Sequence, residues 1–256
     1  MHEHTNPTAA VLVIGDEILS GRTQDTNINT IARFLTGRGI DLKEARIVPD
    51  DEDEIVAALD ALRDRYDMVF TTGGIGPTHD DITADAVARA FGVPISHHPE
   101  AVKILRQLFA DMGREETQAR MRMARIPHGA ELIPNPVSKA PGFHIGNVYV
   151  MAGVPKIMQA MLNELDEKLP RGRKVHARTI RADLPEGDLG DALSAIAKAH
   201  PHVAIGSYPF NEKGHFGTRI VLRSRDETAL QKAAAQVRAL VDDLTAKIPN
   251  PPVNWE

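Results

Sequence analysis

Apolar residues run unbroken through "AAVLVI" at residues 9–14 and return in "DMVFTT" at 67–72. Unbroken runs of this length suit strands buried on both faces of a parallel sheet. Between them the spacing changes. Ile28, Ile31, Ala32 and Leu35 recur at helical intervals, with Asp25 placed to cap the start and Gly37 to end the segment. "EARIV" reads as a short strand. Ile55, Ala58, Leu59 and Leu62 then mark a second helical face, and acidic residues from Asp50 to Glu54 crowd its first turn. Those charges suit the positive end of a helix dipole. After "DMVFTT", a glycine-rich loop leads to a helix predicted over 84–91, stopped by Gly92 and Pro94. Three strand–helix repeats in succession predict a parallel sheet with helices on both faces.

Further along, Val102, Leu105, Leu108, Phe109 and Met112 predict one long helical tract over 99–124. "GFHIGNVYVMAG" reads as a hairpin turning at Gly146 and Asn147, and 155–167 has helical spacing again. "KLPRGRK" brings proline, glycine and a run of basic residues, a composition that suits a domain boundary. Beyond it, strand, helix, strand, strand and helix signals follow, the last helix spanning 226–247. The fold class predicted is therefore α/β: a three-layer parallel-sheet domain over 1–170, then a small α+β domain over 171–256.

Composition removes several classes of function. The chain has no cysteine, which excludes disulfide staples, thiolate metal sites and a cysteine nucleophile. A formal net charge of -5 gives no global field for nucleic acid, and nucleic-acid binding is not expected. "AAVLVI" is far short of the roughly 20 apolar residues of a membrane span. The start, "MHEHTNPTAA", has neither a basic region nor an apolar stretch suited to a signal peptide, so a cytoplasmic location is expected.

The chemistry gathers in "FTTGGIGPTHDDIT", residues 70–83. Gly73, Gly74 and Gly76, followed by Pro77 and Thr78, sit between a strand and a helix, where bare backbone can approach an anion and N–H groups point toward it. The loop has neither the Walker spacing nor the dinucleotide GxGxxG spacing. Asp80 and Asp81 would repel a phosphate unless a cation sat between them, and hard oxygen ligands favour a divalent ion such as Mg²⁺, Mn²⁺, Co²⁺ or Ni²⁺. The plainer alternative is that both aspartates cap the following helix. Two other loops end at the same sheet edge. One brings Asp16, Glu17, Asp25 and Asn27; the other brings Asp50 and Asp51. Asp81, Asp80 and Asp16 are the candidate metal ligands. Ser138, Lys139 and Gly153 belong to turns that could meet phosphate at the same rim. His79 has the plain reading of a solvated loop residue, His97 and His98 of a helix start, and His2 and His4 carry no functional reading.

"IGDEILSGRTQDTN", "TTGGIGPTHDDIT", "KAPGF" and "AGVP" together resemble the MoaB/Mog-type molybdopterin-binding domain, in the version that opens CinA proteins. The resemblance covers about residues 9–170, and the tail with "IGSYPF" resembles the small domain that follows it in CinA and in eukaryotic FAD synthases. Asp50 and Asp81 stand where two functionally critical aspartates stand in Mog-type enzymes, which adenylylate molybdopterin. The resemblance to CinA implies metal-dependent hydrolysis of nucleotide pyrophosphates such as ADP-ribose or FAD. Adenylyl transfer to molybdopterin, and molybdopterin binding without catalysis, remain the alternatives. The resemblance also implies a small-molecule nucleotide or pterin ligand and a homo-oligomer, dimer or trimer.

Overall fold

The computed structural model describes residues 6–212 and 214–247; His2 and His4 lie outside them. The chain divides into two compact units between Gly172 and Arg173.

The first unit runs β1 (Thr8–Ile14), α1 (Asp16–Leu19), α2 (Asn27–Gly37), β2 (Asp41–Val48), α3 (Glu52–Arg63), β3 (Met68–Thr72), α4 (Thr83–Phe91), β4 (Ile95–His97) and α5 (Pro99–Asp111). It continues with α6 (Gln118–Met121), a 3₁₀ turn (Arg122–Ala124), β5 (Arg125–Pro127), β6 (Glu131–Ile133), β7 (Gly142–Ile145), β8 (Val148–Met151) and α7 (Pro155–Glu164). The main sheet has the order β2-β1-β3-β8-β7-β6. Its first four strands are parallel, β7 runs antiparallel to β8, and β6 runs antiparallel to β7. The hairpin between β7 and β8 turns through Gly146 at φ +57°, as its sequence predicts.

β1 explains why the sheet is covered twice. Ala10, Leu12 and Ile14 enter one core with Ile55, Leu59, Val87 and Leu105, from α3, α4 and α5. Ala9, Val11 and Val13 enter the other with Ile31, Leu35, Met158 and Leu162, from α2 and α7. A strand with no polar side has no face to offer water, so both faces take helices. Loops at the strand ends are then where this unit can open to a ligand.

One predicted element is corrected. The tract over 99–124 is not one helix: α5 stops at Asp111, and Gly113 takes φ +61° just after it. Thr117 then caps the short α6, its hydroxyl accepting from Arg120 N at 3.3 Å. Helical spacing of apolar residues persisted across the break because the segment still packs toward the same core, but a left-handed glycine ends an α-helix. The chain after the break pairs β5 with β4 in a two-stranded ribbon that no sequence signal indicated.

The second unit is β9 (His176–Ala182), α8 (Glu186–Ala199), β10 (Ala204–Glu212), β11 (His215–Ser224) and α9 (Glu227–Ala246). The strands are antiparallel in the order β10-β11-β9. Ile180, Ile220 and Leu222 pack against Leu189 and Leu193 of α8 and Leu230 and Val237 of α9. Among the described residues, no helix is long and apolar enough to cross a membrane.

Candidate functional site

The three parallel strands β1, β2 and β3 end side by side, and a cavity of about 480 Å³ opens above them. Its wall includes Glu17 after β1, Asp50 after β2, and Gly73, Gly74, Gly76, Asp80 and Asp81 after β3. Ser138 and Gly153 also belong to the wall, with an apolar lining of Ile14, Ile75, Met123, Val154 and Ile157.

Local chemistry holds the glycine loop in place. Gly73 sits at φ +105°, and a Cβ there would lie 2.1 Å from the Ile14 carbonyl oxygen. Backbone cannot yield as a flexible side chain can, so this position needs glycine. The buried Thr83, first residue of α4, donates its hydroxyl to Gly73 O at 3.0 Å and its N–H to Gly74 O at 3.0 Å. The loop is thus tied to the helix that follows it.

Asp81 is held just as firmly. Its Oδ2 accepts from Thr78 N at 2.7 Å and from the Thr78 hydroxyl. The carboxylate rests against Gly76, where a Cβ would come within 2.6 Å of that oxygen. Asp80 is exposed, and the Thr78 side chain beside it lowers its carboxyl below the usual aspartate range. Thr78 itself is exposed and acts as the clamp of Asp81 rather than as lining, and neither it nor Pro77 is part of the cavity wall.

Asp50 behaves differently. Burial raises its carboxyl above the usual range; the negative charges of Asp16, Glu17 and Asp80 add to this, and a hydrogen bond opposes it. That bond comes from Asp16 N to Asp50 Oδ2 at 3.0 Å. Asp16 therefore meets the site through its backbone, and its exposed side chain is not in the wall. The neighbouring Asp51 caps α3, accepting from Asp53 N and Glu54 N. Of two adjacent aspartates, one serves the helix and one faces the cavity.

The remaining candidates divide in the same way. Asn27 is buried outside the cavity wall, and its Nδ2 donates to Gly153 O at 2.7 Å, fixing the turn after β8. Lys139 is exposed and not in the wall; it takes φ +65°, the left-handed region, in a loop built by Asn135. Asn135 Oδ1 accepts from Val137 N and Ser138 N, while its Nδ2 donates to Ser138 Oγ and Ala140 O. His79 lies exposed beside Asp80. Sequence reasoning passed over Thr23, Asn135 and Met123 in the wall. "NPVSKAPGF" held a signal for Asn135, since asparagine builds turns of this kind; nothing local pointed to Met123.

Among the described residues, no group of three or more histidine, aspartate or glutamate side chains closes around a metal position. The donor set does not fit an all-protein cage. It fits a hard cation shared between one or two carboxylates and a ligand's own phosphate oxygens, the manner in which Mg²⁺ is commonly held.

With this geometry in view, the relationships of the chain become informative. Residues 10–171 match the family model "Probable molybdopterin binding domain", and 174–247 match "FAD synthase, middle domain". A protein of Aeropyrum pernix is 33% identical over 250 residues, covering 94% of this chain and 92% of its own length. A CinA-like protein of Geobacter metallireducens is 37% identical over 245 residues, covering 91% of this chain but only 58% of that protein. The crystal structure of CinA from Thermoplasma acidophilum, described as of unknown function, aligns at TM-score 0.59 and 35% identity, over 64% of this chain and 98% of that one. The chain belongs to the molybdopterin-binding-domain family and is CinA-like, and its residues 174–247 match the FAD synthase middle domain.

Proposed function

We infer that the first unit binds a nucleotide or pterin through its phosphates and hydrolyses a nucleotide pyrophosphate of the ADP-ribose or FAD class, aided by a divalent cation. The observation that carries this reading is the convergence of Asp50, Asp80, Asp81 and Glu17 with the glycine loop on one cavity. A glycine loop alone suits any anion. Carboxylates from three successive strand ends beside it make sense only with a cation or a proton to offset them.

Asp80 and Asp81 would hold the cation, which when bound offsets charge on the phosphate oxygens and acidifies water. Backbone N–H groups of residues 74–76 orient the phosphate, while the Gly73 N–H donates to Met151 O. Thr78 keeps the Asp81 carboxylate in one place, so the site is organised before a ligand arrives. Asp50, raised by burial and facing the cavity, takes the proton from water as the new P–O bond forms. The bridging P–O bond breaks, and its oxygen leaves as a phosphate oxygen of the second product. The apolar lining from Ile75, Met123 and Val154 suits a flat ring attached to that phosphate.

The test is cleavage of ADP-ribose and of FAD into two phosphomonoester products, with Mg²⁺, Mn²⁺, Co²⁺ or Ni²⁺, for the wild type and Asp81→Asn. Asparagine can still accept from Thr78 N, so the variant keeps the turn and the comparison reads chemistry. Cleavage that needs both the metal and Asp81 supports the hydrolase. Equal cleavage by the variant overturns the role of Asp81. Tight ligand binding without cleavage under any metal overturns hydrolysis in favour of a molybdopterin-binding or adenylylating protein.

A further inference from the structure

The rim of the cavity is acidic, yet its expected ligand is a polyanion. Lys139, the basic residue that the sequence offered for it, is exposed and outside the wall. Arg122 is likewise absent from that wall, but it borders the same glycine loop. It opens the 3₁₀ turn Arg122–Ala124, next to Met123 of the cavity wall. With Gly74, Ile75, Gly76 and Asp81 it lines a recess of about 20 Å³, room for one water, against the glycine loop.

Its bonding is incomplete. A guanidinium has five N–H donors. Here Nη2 reaches the Asp81 carbonyl at a long 3.4 Å, and Nε is buried with no partner. No carboxylate forms an ion pair with Arg122 among the described residues. Asp81 is adjacent, but its carboxylate is turned to Thr78. The contrast with Arg125, three residues on, is direct: Asp85 takes it with two bonds, at 2.9 and 2.5 Å. A half-buried guanidinium without a counter-charge is unfavourable in the empty protein, and an arriving anion removes the penalty.

We propose that Arg122 is a phosphate-binding residue: its guanidinium takes a phosphate oxygen of the ligand as the ligand seats on the glycine loop. The planar fork suits phosphate, and binding completes the hydrogen bonds that the unliganded protein leaves open. This deepens the phosphate-site reading and rests on it.

Equilibrium binding of inorganic pyrophosphate and of ADP-ribose to the full chain, for wild type, Arg122→Gln and Arg122→Lys, decides the matter, with the thermal midpoint of each unliganded protein alongside. Arg122→Gln is expected to weaken both ligands by about 10- to 100-fold, the scale of a hydrogen bond to a charged group. Arg122→Lys recovers part of this, because lysine restores charge without the fork. The unliganded midpoint of Arg122→Gln stays level or rises. With ADP-ribose turnover, KM rises more than kcat falls. Wild-type affinity in Arg122→Gln overturns the assignment, and so does a loss of binding that merely tracks a lowered midpoint. If the wild type binds neither ligand, the phosphate site itself fails, and this role fails with it.

Discussion

Both units set strands against helices, and they cover their sheets differently. In the first, helices pack on both faces, and β1 is buried along nearly its whole length. In the second, α8 and α9 supply the core partners of Ile180, Ile220 and Leu222. The other side of that sheet is dressed with long polar side chains. Phe210 lies under the guanidinium groups of Arg181 and Arg219, at 4.5 and 4.9 Å from the ring centroid. Those two arginines are in turn paired with Glu212. Arginine stems and planes can shield an aromatic ring from water while the charge stays solvated. Full coverage pushes the opening of the first unit to its strand ends, where backbone must bend sharply. The second unit meets solvent with a broad face and needs no such bends in its helices or strands. Positive-φ glycines therefore concentrate in the first unit, and the expected responses to substitution differ accordingly.

The largest effects come from sites where each unit has no slack. Gly73→Ala drives a methyl group into the Ile14 carbonyl at a positive φ, and a loss of about 3 kcal/mol or more is expected. Leu222→Ala, at a fully buried position of the second unit, is expected to cost about 2–5 kcal/mol by cavity formation. Chemical denaturation of both variants measures these losses. If Gly73→Ala proved neutral, the contrast between strained strand ends and a relaxed small unit would collapse.

Adjacent aspartates sharpen the comparison at the next level. Asp51→Ala removes the cap of α3 and is expected to cost about 1 kcal/mol. Asp50→Asn is expected to do the opposite at neutral pH. Folding raises the Asp50 carboxyl above its ordinary value, so its ionised form disfavours the fold above that raised value, and the penalty vanishes as pH falls below about 4. The variant is then more stable than wild type near neutrality, level with it in acid, and inactive. A thermal midpoint measured across pH 3–8 reads the sign directly, and a lower midpoint at pH 7 would contradict it.

The second unit supplies the smallest changes. Gly190 lies in α8 with nothing within 4 Å of an added Cβ. Gly190→Ala is expected to stabilise by about 0.5–1 kcal/mol, since helix interiors favour alanine. Asp243→Asn removes an exposed i,i+4 pair with Lys247 and is expected to change stability by about 0.3–0.5 kcal/mol at most, less at high salt. The same glycine-to-alanine change thus carries opposite signs at Gly73 and Gly190, and urea unfolding of the pair is the sharpest check on the comparison.

Much of this architecture was legible in the chain. Unbroken apolar runs marked β1 and β3, and helical spacing marked α2, α3 and α9, because both periods are set by neighbours a few residues apart. Gly73, Gly74 and Gly76 stood out for the same local reason. The hairpin at Gly146 followed from turn chemistry. The break at Gly113 was missed because apolar spacing ran on across it, and the ribbon of β4 with β5 because three-residue strands carry too little pattern.

For the site, the sequence alone determined which loops carry acid and bare backbone, since those are properties of residue type and order. It left open which of the acids face the cavity. Tertiary structure decided that Asp50 does so while Asp51 caps a helix, and that Asp16 takes part through its backbone N–H. It also brought Arg122 to Asp81 across 41 residues. Choices of that kind depend on the direction in which each side chain leaves a folded backbone. They are fixed when β1, β2 and β3 pair and the segment after α5 folds over their ends, and by no periodicity along the chain.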